Sequence, residues 1–330
     1  MPKEAIPRLD NDNFRKKILP FCRLKPGEIW NDPEEKHKIG VLDATSKSDC
    51  QLIANGDHVN LFIQDPPYNI TVGNKNTDQL SRIEIDKYIT FSRTWVNNSI
   101  NMMNPNSNFY VWLGADQRRG FQPLPEFMLL MREFDELKSR SLISLRNQRG
   151  YGTQKNWMAV RQELLYYTKG DPYFKVAYTD IPKVLKGYYK TINGKRTDNL
   201  ERGKSDTIRP GNIWLDIQQV FYRMEENIPG AYAQKPLKSI ERIIETSSEQ
   251  GDVVGDFFSH SGTTLIAAER LGRKCITFDK DPVFAELSIR RLERYRKTGK
   301  TGWQWENPFP EINLLSKPKT DRDLLKQLLL

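Results

Sequence analysis

The stretch between Asp252 and Tyr295 constrains the fold more than any other part of the sequence, because it alternates two kinds of pattern. Two short apolar runs, DVVGDFF and RKCITFD, have the composition of buried strands, and an amphipathic helical stretch follows each of them. This order places the two strands side by side and parallel, with a right-handed crossover between them. The pattern therefore predicts an α/β protein built on a mostly parallel, doubly wound sheet.

Further strands and helices are predicted before this unit, from apolar runs and from the helical spacing of apolar residues. The predicted strands are 58–64, 108–114, 141–147 and 163–171. The predicted helices are 78–104, 125–134 and 235–248. Residues 171–210 lack periodic apolar runs and are predicted to be a loop-rich insertion. Residues 1–45 are predicted to form an N-terminal arm or a peripheral layer, and the polar residues 297–330 a C-terminal tail.

The amino-acid composition excludes several classes of protein. The three cysteines lie far apart, so the sequence offers neither a disulfide framework nor a structural zinc site. No apolar run approaches the ~20 residues that span a bilayer, and the first residues lack the apolar stretch of a secretory signal. We therefore expect a cytoplasmic protein with no metal and no membrane partner.

The positive charge of the chain is concentrated in its middle. The net charge is +9, and residues 138–210 hold 16 lysines and arginines against 6 acidic residues, whereas the rest of the chain holds 35 against 36. A solvated basic face would explain the charge alone. The same segment also holds nine aromatic residues between Tyr151 and Tyr189, and basic residues interleaved with aromatic ones favour a polyanion with stackable bases.

The stretch LFIQDPPYNI ends an apolar run with an acid, two prolines and a tyrosine. Each proline lacks an N–H group and fixes φ, so a central strand cannot continue through Pro66 and Pro67. The chain must leave the sheet here in a stiff turn. That turn holds the carboxylate of Asp65 and the ring of Tyr68 in place, as a reaction that needs preorganised hydrogen-bond acceptors requires.

A second group of polar residues follows the strand that ends at Asp256. A loop of small residues, 259–262, leads into a helix that opens with Thr263, and a second acid, Asp279, ends the next strand. Adenosine-containing cofactors bind at such strand ends, where the second acid can accept both ribose hydroxyls. No GK[ST] sequence follows the loop, which favours a nucleoside with a small charged group over a pyrophosphate. A purely structural β–turn–α connection would look similar.

Together, the DPPY turn and this loop resemble the amino-group DNA methyltransferases that use S-adenosylmethionine. The loop DFFSHSGTT is similar to that family's DPFxGSGTT pattern. Further matches are Gln234-Lys235-Pro236, Ala267-Ala268, Leu271-Gly272-Arg273 and Arg291-Leu292. The catalytic motif precedes the cofactor motif, which is the order of the family's β group. Two residues depart from the pattern: His260 stands where the family usually has glycine, and Phe257 where it often has proline. A β-carbon in the loop would narrow the cofactor pocket, but Gly262 is retained, so the site is expected to survive with His260 as a packed or cofactor-adjacent side chain.

The resemblance implies a Rossmann-like S-adenosylmethionine-dependent methyltransferase fold with an inserted target-recognition region. Residues 46–170 would form the catalytic half of the methyltransferase domain, 171–210 the target-recognition insertion and 211–296 the cofactor-binding half. Basic residues of the insertion would mostly contact phosphates, and a minority would read base edges. The residues expected to contact DNA are Lys175, Lys183, Lys186, Lys190, Lys195, Arg196, Arg202, Lys204 and Arg209.

By the same resemblance, catalysis would depend on Asp65, Pro66, Pro67 and Tyr68. The Asp65 carboxylate and the Pro66 carbonyl would accept the two N–H groups of an exocyclic amine, and the tyrosine ring would stack on the base. The base would first have to rotate out of the duplex.

The resemblance also implies a set of cofactor contacts. The residues implied to bind S-adenosylmethionine are Asp65, Lys235, Asp256, Phe257, Phe258, Ser259, Ser261, Gly262, Thr263 and Asp279. Asp279 would bind the ribose and Lys235 the carboxylate end of the cofactor. Alternatively, Lys235 is an exposed lysine at a helix start, and Asp279 a helix cap, although Asp281 is better placed to cap.

The preferred target is adenine N6, because Asp at the first position of the DPPY motif favours adenine in this family. Cytosine N4 presents the same NH₂ group beside a ring nitrogen and stays an alternative. RNA or protein-glutamine methylation, whose enzymes usually carry Asn at that position, is a further alternative, as is a nucleic-acid-binding module with a decayed site. The expected partners are double-stranded DNA and, in a restriction–modification system, a cognate restriction endonuclease. The chain would act as a monomer or homodimer in a prokaryotic cytoplasm, at the nucleoid.

Overall fold

The computed structural model describes residues 6–69, 83–116, 119–151, 155, 157–182, 189–198, 206–220 and 223–312. Within these ranges, nine strands form one sheet and two more form a separate hairpin. The strands of the sheet are β1 (Ile29–Asn31), β2 (His37–Val41), β3 (Val59–Gln64), β4 (Met103–Leu113), β5 (Lys138–Tyr151), β6 (Ala159–Lys169), β9 (Ile213–Trp214), β10 (Val253–Asp256) and β11 (Lys274–Asp279). The hairpin pairs β7 (Tyr189–Ile192) with β8 (Lys195–Asp198).

The sheet has a parallel centre and antiparallel flanks. Its strand order is β1-β2-β11-β10-β3-β4-β6-β5-β9. The pairs from β2 to β4 are all parallel, whereas β6 runs antiparallel to both β4 and β5. Parallel strands need crossover connections, and helices supply them here. The predicted mostly parallel α/β sheet is confirmed.

Helices cover both faces of the sheet, as the doubly wound prediction requires. They are α1 (Asp12–Ile18), α2 (Lys47–Ala54), α3 (Ile85–Met102), α4 (Leu124–Leu130), α5 (Leu237–Ser247), α6 (Thr263–Arg270) and α7 (Pro282–Thr298). Buried residues of α2, α3 and α4 pack on one face, together with Val59 and Phe62 of β3. Those of α5, α6 and α7 pack on the other, together with Leu61 and Ile63. The alternation along β3 is that of a strand buried on both sides.

Most of the predicted elements are present, with shifted ends. The helix predicted over 125–134 ends at Leu130 and continues as one turn of 3₁₀ helix, Met131–Glu133. The helix predicted over 78–104 is helical at Ile85–Met102, and its first predicted residues lie outside the described ranges. Asp281 caps α7, as predicted, because its carboxylate accepts a hydrogen bond from the Val283 N–H at 3.0 Å.

The prediction that residues 1–45 form a separate arm is wrong for their second half. Strand β2 pairs in parallel with β11 inside the sheet, and β1 extends the sheet at its edge. The apolar run of β2 is only five residues long and contains His37 and Lys38, so its pattern is too weak to reveal a buried strand.

The first and last described segments pack together over α7. Leu9, Phe14 and Ile18 near the start form a buried cluster with Trp303 and Phe309 from the end of the chain. The N–H of Trp303 also donates to the carbonyl of Asn227 at 2.9 Å, and that of Leu9 to the carbonyl of Gly230 at 2.9 Å. Both segments are therefore part of the packed structure around the residues that precede α5.

Candidate active site

The site lies where β3 and β10 end side by side. These strands are parallel neighbours, and Asp65 follows the end of β3 as Asp256 ends β10. The connection after β3 leads to α3 on one face, whereas the connection after β10 leads to α6 on the opposite face. Strands whose connections leave in opposite directions open a crevice at their carboxyl ends, where ligands bind in open α/β sheets.

The DPPY turn is held by hydrogen bonds from within and from α3. The Tyr68 hydroxyl donates to Oδ1 of Asp65 at 2.8 Å. The Tyr88 hydroxyl on α3 donates to the Pro67 carbonyl at 2.7 Å. Burial, and secondarily the nearby Asp65 charge, raises the pKa of the Tyr68 phenol well above its usual value, so the hydroxyl keeps its proton and acts as a donor. The acid and the ring therefore have fixed relative positions.

Lys235 packs against the DPPY turn and is buried rather than exposed on the surface. Its ammonium contacts Oδ1 and Oδ2 of Asp65 at 2.7 and 2.6 Å, and the residue is only 8% exposed. It also lies 5.1 Å from the Tyr68 ring centroid and 5.4 Å from that of Trp112, within the range of a cation–π interaction. The alternative of an exposed lysine at a helix start is therefore wrong. Its contact with the cofactor carboxylate stays a prediction.

The two acids of the predicted cofactor site end neighbouring strands. Asp256 accepts the Phe258 N–H at 2.9 Å, and Asp279 accepts the N–H groups of His260 and Asp281 at 3.0 and 2.9 Å. Burial raises the pKa of each carboxyl to about 7, far above the usual range for aspartate. Each acid thus orders the loop through backbone hydrogen bonds, and each would be stabilised in its ionised form by a cationic ligand.

The turn before α6 requires glycine at position 262. Gly262 has a φ of 69°, and a β-carbon there would lie 2.8 Å from Oγ and 3.1 Å from the Cα of Ser288 on α7. Arg291, also on α7, donates to the Ser261 carbonyl at 2.7 Å and to the Thr263 hydroxyl at 3.1 Å. The contacts of Ser288 and Arg291 on α7 therefore fix the position of the loop between β10 and α6.

The two departures from the family pattern have structural explanations. His260 has a φ of 42°, a left-handed conformation in which glycine is favoured and histidine is among the better tolerated residues. Its ring packs on Phe284, with centroids 4.5 Å apart, and burial lowers its pKa to about 4, so it is neutral at pH 7. The side chain of Phe257 is 1% exposed and packs between Phe62 and Phe278. Phe257 therefore supports the loop from the core, and a ligand can contact only its backbone.

The polar side chains of this loop and the two acids beside it fit S-adenosylmethionine. The buried carboxyl of Asp256 and the half-buried one of Asp279, both with raised pKa values, favour a ligand that carries positive charge and hydroxyl groups, such as a sulfonium nucleoside. A pyrophosphate would instead place negative charge beside both acids. Ser259, Ser261 and Thr263 lie between the two strand ends and are buried in the same loop. Phe258 lies beside them and packs edge-on to Trp95, with centroids 5.4 Å apart.

The predicted DNA contacts are only partly within the described structure. Lys175, Lys195 and Arg209 are exposed, and Lys190 and Arg196 lie on the β7–β8 hairpin. The remaining predicted contacts, Lys183, Lys186, Arg202 and Lys204, lie outside the described residues. The role of all these residues in DNA binding stays a prediction.

Sequence reasoning missed several residues that build the site. Gln64 links β3 to the cofactor loop, and Tyr88 holds the Pro67 carbonyl. Gly114 follows β4, and a β-carbon there would lie 2.6 Å from Cδ2 of Tyr68. A glycine directly after a buried strand is a signal for such a close approach, whereas nothing local marks Gln64 and Tyr88. Arg291 was noted as a match to the family pattern, but without its role in supporting the loop.

Substitution of Gly114 by alanine is expected to lower methyl transfer roughly tenfold or more, because the new methyl group displaces the Tyr68 ring on which a base would stack. Initial rates with purified variants at saturating cofactor would measure this. Gly211→Ala is the matched control, since no atom lies within 4 Å of a β-carbon there. Equal loss in both variants would contradict the assigned contact.

The described residues show neither a metal-binding cluster nor a membrane-spanning helix. No group of three or more histidine, cysteine, aspartate or glutamate side chains there could hold a metal ion. None of the helices in the same part of the chain has both the length and the apolar character to cross a membrane.

Comparison with known proteins places the chain in a family. A family model described as N6_N4_Mtase, DNA methylase, matches residues 59–290. The type II methyltransferase M.HpaI of Haemophilus parainfluenzae is 26% identical over 235 residues, covering 71% of this chain and 68% of the relative. The DNA adenine methyltransferase YhdJ of Escherichia coli (strain K12) is 29% identical over 247 residues, covering 72% of this chain and 77% of the relative.

Solved structures support the fold. The PvuII DNA methyltransferase (cytosine-N4-specific) is 15% identical and has a TM-score of 0.53, with 89% of this chain and 93% of that chain covered. At this identity the likeness concerns the fold alone. The family model covers most of the chain and includes both the DPPY turn and the cofactor loop. The chain therefore belongs to the N6/N4 DNA methylase family and is a DNA methyltransferase whose methyl donor is S-adenosylmethionine.

Proposed function

We propose that this chain methylates the N6 amino group of adenine at a specific sequence in double-stranded DNA. The observation that carries the proposal is the position of the DPPY turn. Its acid and aromatic ring stand at the end of β3, directly beside the loop at the end of β10 that fits the cofactor. An acceptor for an amine and a site for a methyl donor thus share one crevice.

The chemistry explains why the turn must be stiff. An exocyclic amine is a poor nucleophile, because its lone pair is delocalised into the base. S-adenosylmethionine, when bound, supplies the electrophilic methyl group. Asp65 and the Pro66 carbonyl would hold the two N–H groups of the amine and direct its lone pair toward the donor. Tyr88, through its 2.7 Å bond to the Pro67 carbonyl, keeps this pair of acceptors from moving. Acceptors that are fixed before the base arrives need no reorganisation in the transition state.

Lys235 would compete with the amine for the Asp65 carboxylate. Its ammonium and the Tyr68 hydroxyl donate to the Asp65 carboxylate in this structure, at 2.6–2.8 Å. An incoming amine needs one of the same oxygens. The carboxylate end of the cofactor gives Lys235 another negative partner in the same crevice. We therefore propose that cofactor binding draws Lys235 away from Asp65 and prepares the site for the base.

The choice of adenine over cytosine rests on Asp65 and on one relative. Asp at the first position of the turn favours adenine, and the relative YhdJ is named a DNA adenine methyltransferase. Cytosine N4 is the second candidate, because its amine has the same two N–H groups beside a ring nitrogen. The likeness to the cytosine-N4-specific PvuII enzyme concerns the fold and does not favour cytosine.

Single-molecule sequencing of DNA from cells that express the chain tests the proposal. We expect N6-methyladenine at one short sequence, and no modification in cells that express Asp65→Ala. Digestion of the same DNA to nucleosides identifies the base independently. Abundant N4-methylcytosine without methyladenine would overturn the choice of base. If labelled methyl groups from S-adenosylmethionine appear only in RNA or protein, the choice of DNA as substrate is overturned.

We also propose a wider setting for the activity from the named relatives. Type II relatives such as M.HpaI suggest a restriction–modification system, with a restriction endonuclease that recognises the same sequence. In such a system the enzyme would act in the cytoplasm on nucleoid DNA, as a monomer or homodimer. The basic insertion, represented here by the exposed Lys175, Lys195 and Arg209, would contact the phosphates and bases of the target.

A further inference from the structure

The side chain of Gln64 lies at the floor of the crevice between the two halves of the site. The β-ladder between β3 and β10 pairs Leu61 with Val254 and Phe62 with Gly255. Beyond these pairs the two backbones separate, and the crevice opens between Asp65 and Asp256. Gln64 is the last residue of β3 and is fully buried. Its side chain is therefore at the point where backbone pairing no longer holds the strands together.

The side-chain amide of Gln64 connects the two strand ends by hydrogen bonds. Its Oε1 accepts a hydrogen bond from the N–H of Phe257 at 2.9 Å. Its Nε2 donates to Oγ of Ser99 on α3 at 3.1 Å, and Ser99 in turn donates to the Trp95 carbonyl at 2.9 Å. Phe257 directly follows Asp256, and Gln64 directly precedes Asp65. One side chain thus joins the residues adjacent to both acids and anchors them on a helix.

Apolar packing beside Gln64 would not hold the two strand ends at a fixed distance as its amide group does. Phe62 packs edge-on to Phe257, with ring centroids 5.1 Å apart, and this contact holds the aromatic core below the crevice. An apolar contact of this kind fixes a distance only loosely, because it has no preferred direction. A hydrogen bond is directional and weakens steeply when its angle departs from linear. The Gln64–Phe257 bond therefore defines the separation of the two strand ends more narrowly.

We infer that Gln64 is a positioning residue that sets the distance between the amine acceptor on Asp65 and the methyl donor held by the loop after Asp256. The inference rests on the proposed function, because it assigns those two roles to the two strand ends. Methyl transfer depends on near-contact between the reacting atoms in line. A misplacement of about 1 Å can cost about a hundredfold in rate. Binding of the cofactor would depend mainly on the loop after Asp256 and would be less sensitive to that distance.

The test compares Gln64→Leu with two other variants. Leucine keeps the approximate size of the side chain and removes both hydrogen bonds. We expect kcat, measured at saturating cofactor and DNA, to fall about a hundredfold, while the Kd for S-adenosylhomocysteine changes by less than about threefold. Ser99→Ala keeps the bond to Phe257 and removes only the anchor on α3. It should lower kcat by about three- to tenfold, and it serves as the milder variant if Gln64→Leu folds poorly.

Asn108→Leu is the control for a purely structural loss. Asn108 is also a fully buried amide; it donates to the Ser247 and Tyr173 carbonyls and accepts from the Tyr166 hydroxyl, all at 2.8–2.9 Å. It lies opposite Leu61, away from the carboxyl end of the sheet. This variant should lose thermal stability to a similar degree and keep its kcat. If kcat also falls about a hundredfold in the control, the effect of Gln64 on kcat comes only from its contribution to stability.

Other outcomes separate this inference from the proposed function. A kcat within threefold of wild type in well-folded Gln64→Leu would overturn the inference. So would a loss of S-adenosylhomocysteine affinity as large as the loss of kcat, since it would mean that Gln64 only supports the cofactor loop. Transfer by the wild-type chain to RNA or protein instead of DNA would overturn the proposed function. The Gln64 comparison would then be made with that substrate.

Discussion

Substitution of Asp65 by alanine is expected to lower the rate of methyl transfer by about a hundred- to a thousandfold while leaving cofactor binding largely intact. The variant removes an acceptor that is fixed before the base arrives, and removal of one such preorganised group from an active site typically has an effect of about this size. The cofactor loop keeps its own hydrogen bonds to Asp256 and Asp279. Transfer of labelled methyl groups and calorimetry with S-adenosylhomocysteine measure the two properties separately.

Two further variants show where the effect of Asp65→Ala comes from. Alanine also leaves the nearly buried ammonium of Lys235 without its carboxylate, which is costly in itself. The double variant Asp65→Ala/Lys235→Met removes that unpaired charge and should regain stability without regaining activity. Asp65→Asn keeps one acceptor and the shape of the side chain, so its rate should lie between those of wild type and alanine. Normal transfer by Asp65→Ala would show that the carboxylate does not hold the amine.

Substitution of Gly262 by alanine is expected to weaken cofactor binding by about tenfold or more and to destabilise the fold by about 1–3 kcal/mol. Two physical effects combine at this position. The φ of 69° is unfavourable for a residue with a β-carbon, and that carbon would lie 3.1 Å from the Cα of Ser288, which cannot turn aside. The loop would have to move away from α7 and would carry Ser261 and Thr263 with it.

Gly299→Ala separates these two effects. Gly299 has nearly the same φ, 70°, and no atom lies within 4 Å of a β-carbon there. The control therefore reports the conformational cost alone, whereas Gly262→Ala adds the collision with α7. Thermal unfolding with and without S-adenosylhomocysteine would measure both variants. If the two variants lose the same stability and both bind the cofactor normally, the close approach to Ser288 does not shape the site.

Local patterns in the sequence were sufficient to predict the central strands of the sheet and the two loops of the candidate site. Strands β3, β4, β10 and β11 are apolar runs followed by a turn or a polar loop, and local periodicity is enough to find them. The DPPY turn and the loop after Asp256 each lie at such an end. Because β3 and β10 are adjacent in the sheet, these two predictions meet in one crevice.

The connections between the two ends could not be predicted, because they join distant positions. The Lys235–Asp65 pair spans 170 positions and the Gln64–Phe257 bond spans 193. Neither residue has a local pattern that marks its partner. A lysine before a helix usually lies in water, and a glutamine at a strand end gives no sign of burial. Strand β2 was missed for a related reason, since its burial depends on pairing with β11.

His260 shows how a departure from a pattern can leave a loop intact. The sequence predicts that the site survives this departure, because Gly262 is retained. The backbone at His260 keeps the left-handed conformation, and the ring packs on Phe284 of α7. The side chain therefore contributes to the support of the loop by α7, together with Arg291.

The contact between Lys235 and Asp65 gives the free enzyme a tethered competitor for its own substrate. The ammonium presents N–H donors to the same carboxylate that an amine of a base would use, and it cannot diffuse away. By the proposed function, an amine that reaches the crevice would have to compete with this cation for the carboxylate. Its apparent affinity would then fall in proportion to the fraction of molecules in which Lys235 remains on Asp65. Stray bases would therefore bind weakly to the free enzyme.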